Sequence, residues 1–298
     1  MTCQKSSFPT ENRLFSAQNS AKMRILTVDL EEYWHILDAN QVDFSHFQSR
    51  IEQQLECLLA ILQTNRTHPT FFILGEMARK HPDLVKFIAR NFDIGSHGMH
   101  HRLVNSLSVE EFRQDLVESL DVLGEITGKK ITKYRAAGFS LTKKEYFDVL
   151  FDCGIEVDSS LSSINHAYGR RVLKENKPCL IESNGRFIKE IPPFVVRLCG
   201  FKGFLGGGYF RLSPYWLIKK WTKRAENDYL LAYIHPSDID FERPKIKELG
   251  RMRRFKSHVG LKTAEKKLQK WLNEYDFIDI STAEQQIDWS KVQRIQLK

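Results

Sequence analysis

The chain has 298 residues, 42% of them hydrophobic and 28% charged, with a formal net charge of +8. That length and composition suit one large core or two ordinary domains and exclude a disordered or fibrous chain. The charge is modest and spread out, so nucleic acid is not an expected partner. The densest basic run, Lys245–Lys267, reads first as a solvated face and second as a surface for an anionic partner or a phosphate-bearing substrate. Five cysteines (Cys3, Cys57, Cys153, Cys179, Cys199) are odd in number, widely spaced and without a C-x-x-C pair. Neither a disulfide framework nor a zinc ribbon is expected; reduced thiols in a cytoplasmic protein are. No segment approaches the apolar length of a membrane span. Residues 1–22 are polar, lack the apolar stretch of a secretory signal, and are expected to form a disordered tail, with Met23 an alternative start.

Arg24–Val28 is a short apolar, β-branched run typical of a buried strand, and Asp29, Glu31 and Glu32 crowd directly behind it. Ser49–Gln63 sets Ile51, Leu55, Leu58, Leu59 and Leu62 on one helical face. Pro69–Leu74 reads as a second buried strand, Glu76–Arg90 as a helix and Phe92–Gly95 as a short strand. Ser106–Ile126 is a long amphipathic helix, with Ser108 and Glu111 spaced as a capping box and Gly128 just past its end. Lys133–Arg135 (strand), the turn Ala136–Gly138, Lys143–Phe151 (helix) and Glu156–Ser159 (strand) follow. Lys189–Val196 resembles an edge strand interrupted by two prolines. Pro214–Asn227 is helical, Tyr229–Ile234 is a strongly apolar strand ending at His235, and helix Thr263–Tyr275 and strand Asp276–Ile280 close the chain.

This alternation predicts an α/β fold with parallel strands, and about seven such units favour a β/α barrel formed as a single domain over residues 23–298. Ser160–Leu205 is less regular and is expected to be an insertion covering the site. Polar residues gather just behind the strands at Asp29, His97, Arg135, Asp158 and His235, where β/α barrels place their active sites. His97 and His101 are four apart; in a helical turn both imidazoles would face one divalent cation, whereas an ordinary surface pair fits the spacing equally well. Asp29 or Glu31 would supply a further ligand, His100 competes, and Gly98 lets the backbone approach closely. Gly206–Gly208 is not a phosphate fingerprint and reads as a loop that bends sharply or meets substrate.

The segments Thr27–Trp34, Thr70–Gly75, Ser96–Val104, Tyr134–Ser140, Val157–Ser160, Gly206–Arg211 and Tyr233–Pro236 resemble, in order, successive motifs of the polysaccharide deacetylase (NodB-homology) family. They are most similar to its bacterial branch associated with exopolysaccharide biosynthesis, and the resemblance runs from about Met23 to about Ile280. It implies a distorted (β/α) barrel and metal-dependent removal of N-acetyl groups from a polysaccharide, oligosaccharide or lipid-linked sugar precursor. By the same resemblance Asp29 corresponds to the catalytic base and His235 to the general acid. Glu31, His97 and His101 correspond to the metal ligands, Arg135 to the arginine that orients the base, and Asp158 to the acid that tunes the catalytic histidine. Zinc is the expected cation, with cobalt, nickel or manganese as alternatives.

Two positions depart from the family pattern. Ala137 stands where a proline is usual, and Asp29-x-Glu31-Glu32 replaces adjacent aspartates, leaving Glu31, Glu32 and Asp29 all open as the carboxylate ligand. Trp34, Tyr209, Phe210 and Trp216 are candidates for stacking on sugar rings, or else for core or lid packing. The implied partner is an N-acetylated sugar, with peripheral membrane contact through a lipid-linked glycan. The competing readings are a hydrolase of small non-peptide amides on the same fold and a catalytically inactive carbohydrate-binding relative.

Overall fold

The computed structural model describes residues 23–35, 47–198, 201–225, 229–246 and 249–297; the expected tail, residues 1–22, lies outside them, as do Cys3 and Cys199. The elements follow in chain order as β1 (Met23–Leu30), α1 (Ile51–Thr64), β2 (Thr70–Ile73), α2 (Gly75–Lys80), α3 (Pro82–Asn91) and β3 (Asp93–Ser96). Next come α4 (Val109–Thr127), β4 (Lys133–Tyr134), α5 (Lys144–Asp152), β5 (Val157–Asp158), β6 (Cys179–Ser183), β7 (Arg186–Glu190), β8 (Val195–Leu198) and β9 (Phe201–Phe204). The chain continues through α6 (Gly207–Leu212), α7 (Tyr215–Arg224), β10 (Tyr229–Ile234), α8 (Arg251–His258), α9 (Leu261–Glu274), α10 (Ile280–Gln286) and β11 (Gln293–Gln296).

Nine strands form one sheet in the order β10-β1-β2-β3-β4-β5-β7-β6-β11. Seven of them, from β10 to β7, run parallel, as the alternation of strands and helices requires. β6 turns back antiparallel beside β7, and β11 lies parallel to β6. No ladder joins β10 to β11 among the described residues, so the α/β barrel is left open there.

Alternation along β1 sorts its side chains by face. Leu26, Val28 and Leu30 belong to the cluster that contains Leu55, Leu58 and Leu62 of α1. Ile25 faces the other way, into an apolar plug with Phe72, Val157, Ile191 and Leu231. Thr27, Asp29 and Glu31 share the face of Ile25 and climb from that plug toward the C-terminal ends of the strands.

The capping box of α4 is formed in both directions, Glu111 N–H to Ser108 Oγ at 3.2 Å and Ser108 N–H to Glu111 Oε2 at 2.8 Å, and Gly128 ends the helix at φ 67°. Elsewhere the structure departs from the sequence reading. The single helix expected over Glu76–Arg90 is two, because Pro82 has no N–H to donate and starts α3 afresh. Pro192 and Pro193 split Lys189–Val196: β7 lies inside the main sheet and β8 pairs with β9 in a separate hairpin. Of the expected strand Asp276–Ile280, only Ile278 bridges to Ile25, and Asp279 then caps α10 by accepting the Thr282 N–H at 2.7 Å.

Candidate active site

The inner face of β1 sets the floor of the site. Arg135, just behind β4, is fully buried above Phe72, its guanidinium carbon 4.2 Å from the ring centroid. Its Nη1 donates to Thr27 Oγ1 at 2.6 Å and to Asp29 Oδ1 at 2.7 Å, and its Nη2 donates to Ser159 Oγ at 2.8 Å. A buried guanidinium with a carboxylate at this distance is a fixed pair, and it holds Asp29 in one orientation.

One step up, Glu31 meets three imidazoles. Its Oε2 is 2.7 Å from His101 Nε2 and 4.0 Å from His97 Nε2, and its Oε1 is 3.3 Å from His235 Nε2. One ligand atom each from Glu31, His97 and His101 lie within 4.8 Å of one another. The segment carrying the two histidines is not helical. It is an irregular bend in which Gly98 takes φ 85° and His101 φ 45°, so the imidazoles converge through two left-handed residues rather than through helical spacing. Asp115 of α4 anchors the bend by accepting the Met99 N–H at 2.7 Å, and a Cβ at position 98 would come within 2.9 Å of that carboxylate.

The electrostatics suit a cation. Burial would raise the Glu31 carboxyl, but His101, His235 and His97 hold it down at about 2, so it is ionised. Burial outweighs the pull of Asp29 and lowers His97 to about 4, so that ring is neutral. His97 Nδ1 pairs with the Arg135 carbonyl at 2.8 Å and must carry the proton, which leaves the Nε2 lone pair toward Glu31. An ionised carboxylate and two imidazoles in one buried cluster make a donor set suited to zinc or another first-row divalent ion, so these residues fit the expected metal. Glu32 turns away to accept from Ser49 Oγ, and burial raises its carboxyl. His100 also points elsewhere, its Nδ1 3.8 Å from Glu76.

His235, directly behind β10, faces Glu31 from the opposite wall. The acid on its Nδ1 is Asp238, at 2.9 Å, which also accepts the His235 backbone N–H at 2.9 Å. Burial would lower His235, but Asp238 first, then Glu31 and Asp29, raise it to about 9. Asp238 in turn is held well below the ordinary range by His235 and by Arg211, whose Nε donates to its Oδ1 at 2.8 Å.

Asp158 is therefore not the acid on His235. It sits within β5, accepts from Ser160 Oγ at 2.6 Å, and faces its register partner Glu190 on β7. Burial holds both carboxyls of that pair above their ordinary range. Ser160 Oγ accepts the Ala136 N–H at 2.8 Å, so Asp158 braces the turn behind Arg135 rather than the histidine. Asp238 was missed; the signal for it was an acid three residues beyond His235 across a proline, the spacing of a capping box, which this turn forms.

A cavity of about 320 Å³ opens over these groups, and Asp29, Glu31, His97, His101 and His235 all line it. Trp34 and Tyr209 are in its wall, joined by Phe139, Tyr168, Phe204 and Tyr233, whereas Trp216 does not line it. Tyr168 and Phe204 come from the irregular segment Ser160–Leu205, which does cover part of the site. Phe210 does not reach the cavity: it is 1% exposed and its ring centroid lies 5.4 Å from that of Trp271 in the core, so it is a packing residue. Gly206 lies where a Cβ would strike the Tyr233 carbonyl, and Gly207, at φ 47°, runs beside His235, so these glycines let backbone pass against the site wall.

Residues 43–157 match the polysaccharide deacetylase family, and residues 159–285 match a domain of unknown function (DUF3473). A 79-residue stretch is 29% identical to the peptidoglycan-N-acetylmuramic acid deacetylase PdaC of Bacillus subtilis, covering 26% of this chain and 17% of that protein. A 72-residue stretch is 32% identical to a peptidoglycan-N-acetylglucosamine deacetylase of Bacillus cereus, covering 24% of this chain and 26% of that one. The matched stretches thus span less than a third of those relatives. Over nearly the whole chain the fold is similar to a Mycobacterium smegmatis structure described as a candidate polysaccharide deacetylase, with a TM-score of 0.64, 16% identity and 93% of each chain covered.

Proposed function

We propose that this chain, whose residues 43–157 match the polysaccharide deacetylase family, is a metal-dependent hydrolase that removes N-acetyl groups from a carbohydrate of the kind used in exopolysaccharide synthesis. The observation that carries this reading is the convergence, in one cavity, of Glu31, His97 and His101 with the Asp29–Arg135 pair on one side and the His235–Asp238 pair on the other. The aromatic wall of that cavity supports a sugar ring as its occupant. The two Bacillus relatives named for peptidoglycan support an N-acetylated hexosamine within the chain.

Glu31, His97 and His101 would hold the divalent cation, zinc before cobalt, nickel or manganese by the usual preference of imidazole donors. The chemistry such a cation supplies is acidification of water and polarisation of a carbonyl. Asp29, kept in place by Arg135, takes the proton from the water that attacks the acetyl carbon. His235, protonated below about pH 9 under the influence of Asp238, stands on the facing wall and gives its Nε2 proton to the nitrogen as the C–N bond breaks. Acetate and a free amine leave. Without that proton the amine is a poor leaving group, which is why an acid as well as a base is needed.

The test is acetate release from N-acetylglucosamine oligomers by the zinc-loaded protein, repeated after chelation and with His97→Ala. Release that disappears with chelator, returns with metal and is absent in the variant supports the reading. Release insensitive to both treatments overturns the metal mechanism. Binding of the oligomers without any release favours a carbohydrate-binding relative instead.

A further inference from the structure

The basic run singled out in the sequence has no part in the site chemistry, and the fold gives it neighbours that the sequence did not reveal. Two stretches, residues 207–225 and 249–264, hold ten of the chain's 45 lysines and arginines and none of its 37 acids, so the remainder of the chain carries a formal −2. The fold joins these two stretches at one corner. The guanidinium of Arg211, in α6, donates to the carbonyls of Lys256, Ser257 and Val259 at the end of α8. Lys267 of α9 donates to the carbonyls of Phe210, Arg211 and Ser213.

That corner is apolar as well as basic. Leu212, Trp216, Met252 and Phe255, drawn from both stretches, are between 57% and 66% exposed. Met252 and Phe255 are three apart on α8, so they project from one side of the helix, with exposed Arg251 and Lys256 beside them. Lys220 and Lys223 extend the exposed positive charge along α7.

We propose that this corner is a membrane-contact surface that seats the protein on a bilayer containing anionic phospholipid. Large apolar side chains set among lysines and arginines match the boundary of such a bilayer, where the rings enter the headgroup region and the cations meet phosphate. A second copy of the chain is a poorer occupant, because pairing this face with itself would set like charges against each other. The corner also adjoins the site: α6 carries Tyr209 in the cavity wall and Leu212, one turn later, in the patch. Docking here brings the cavity to the membrane surface, where a lipid-linked substrate would be met. The surface itself stands on its own, whatever the cavity catalyses.

Co-sedimentation of the full chain with vesicles tests it, comparing mixed phosphatidylcholine and phosphatidylglycerol with phosphatidylcholine alone. Binding is expected only to the anionic vesicles, weakening as salt is raised. Each cation near such a surface contributes about fivefold, so Arg251→Glu with Lys256→Glu lowers the partition by at least about 25-fold. Met252→Ser with Phe255→Ser lowers it at every salt concentration. All four side chains are exposed, so thermal unfolding of both variants stays at the wild-type temperature and loss of fold is read separately. Equal binding to neutral vesicles, no binding to anionic ones at low salt, or unchanged binding by both variants overturns the proposal. So does patch-dependent self-association in sedimentation velocity without vesicle binding.

Discussion

Replacing Asp238 with Asn changes one charge and almost no volume, and it isolates what sets the proton affinity of His235. Asp238 Oδ2 is 2.9 Å from both the ring Nδ1 and the backbone nitrogen of His235. Burial alone would push the imidazole below its ordinary 6.5; with Asp238 the leading opposing influence, it lies at about 9. That difference corresponds to about 3 kcal/mol in favour of the protonated ring. In Asp238→Asn, His235 is expected to titrate well below the wild-type value, because burial persists and the leading opposing charge is gone, leaving only Glu31 and Asp29 to favour the protonated ring. Arg211 keeps the carbonyls of Lys256, Ser257 and Val259 as acceptors, so the variant should still fold. NMR titration of the histidines in metal-free protein reads the midpoint directly. In the pH profile of acetate release, the alkaline limb should move to lower pH along with that midpoint, since the acid must be protonated to act. Stability carries the same signature. A group whose pKa is raised on folding contributes fully below its unfolded value and loses that contribution as pH rises through the folded one. Metal-free wild type should therefore lose about 3 kcal/mol between pH 6.5 and 9 in urea denaturation, and the variant should lose clearly less. A folded variant that keeps the wild-type midpoint and alkaline limb would refute the coupling of His235 to Asp238.

Three further outcomes are expected. Glu31→Gln or His101→Ala should weaken zinc binding, measured by calorimetry on the otherwise intact protein, by about 100-fold or more, as loss of a ligand from a three-residue set implies; His100→Ala should leave it unchanged. Arg135→Met should cost about 3–5 kcal/mol in chemical denaturation, because it strands buried Asp29 beside an apolar side chain, and Asp29→Asn in the same chain should recover part of that loss. Phe210→Ala should cost about 3–5 kcal/mol of stability with little change in KM, whereas Tyr209→Ala should raise KM at nearly unchanged stability, separating a core ring from a cavity ring.

Local chemistry made much of this protein legible before any coordinates. Strand-forming runs ended in polar clusters and alternated with amphipathic helices, and short-range rules suffice to turn that into seven parallel strands with polar groups gathered at one end. That Asp29, Glu31, His97, His101, Arg135 and His235 would gather in one place was readable because each lies at the end of a strand or within a few residues of one. What the linear order did not carry was which of several nearby groups faces which. Glu31 rather than Glu32 enters the site because alternation along β1 puts it on the face of Thr27 and Asp29, a matter of register. His97 and His101 meet through a left-handed bend rather than a helix, a path held by Asp115 from a separate helix. Asp238 took the place foreseen for Asp158 because β5 lies on the far side of Arg135, where a second buried carboxylate, Glu190, is its neighbour. The basic run became one surface with α6 and α7 only when Arg211 tied them together. Sequence sets backbone propensity and side-chain chemistry within a few residues; the pairing of groups dozens or hundreds of positions apart depends on how the packed sheet and its covering helices place them in space.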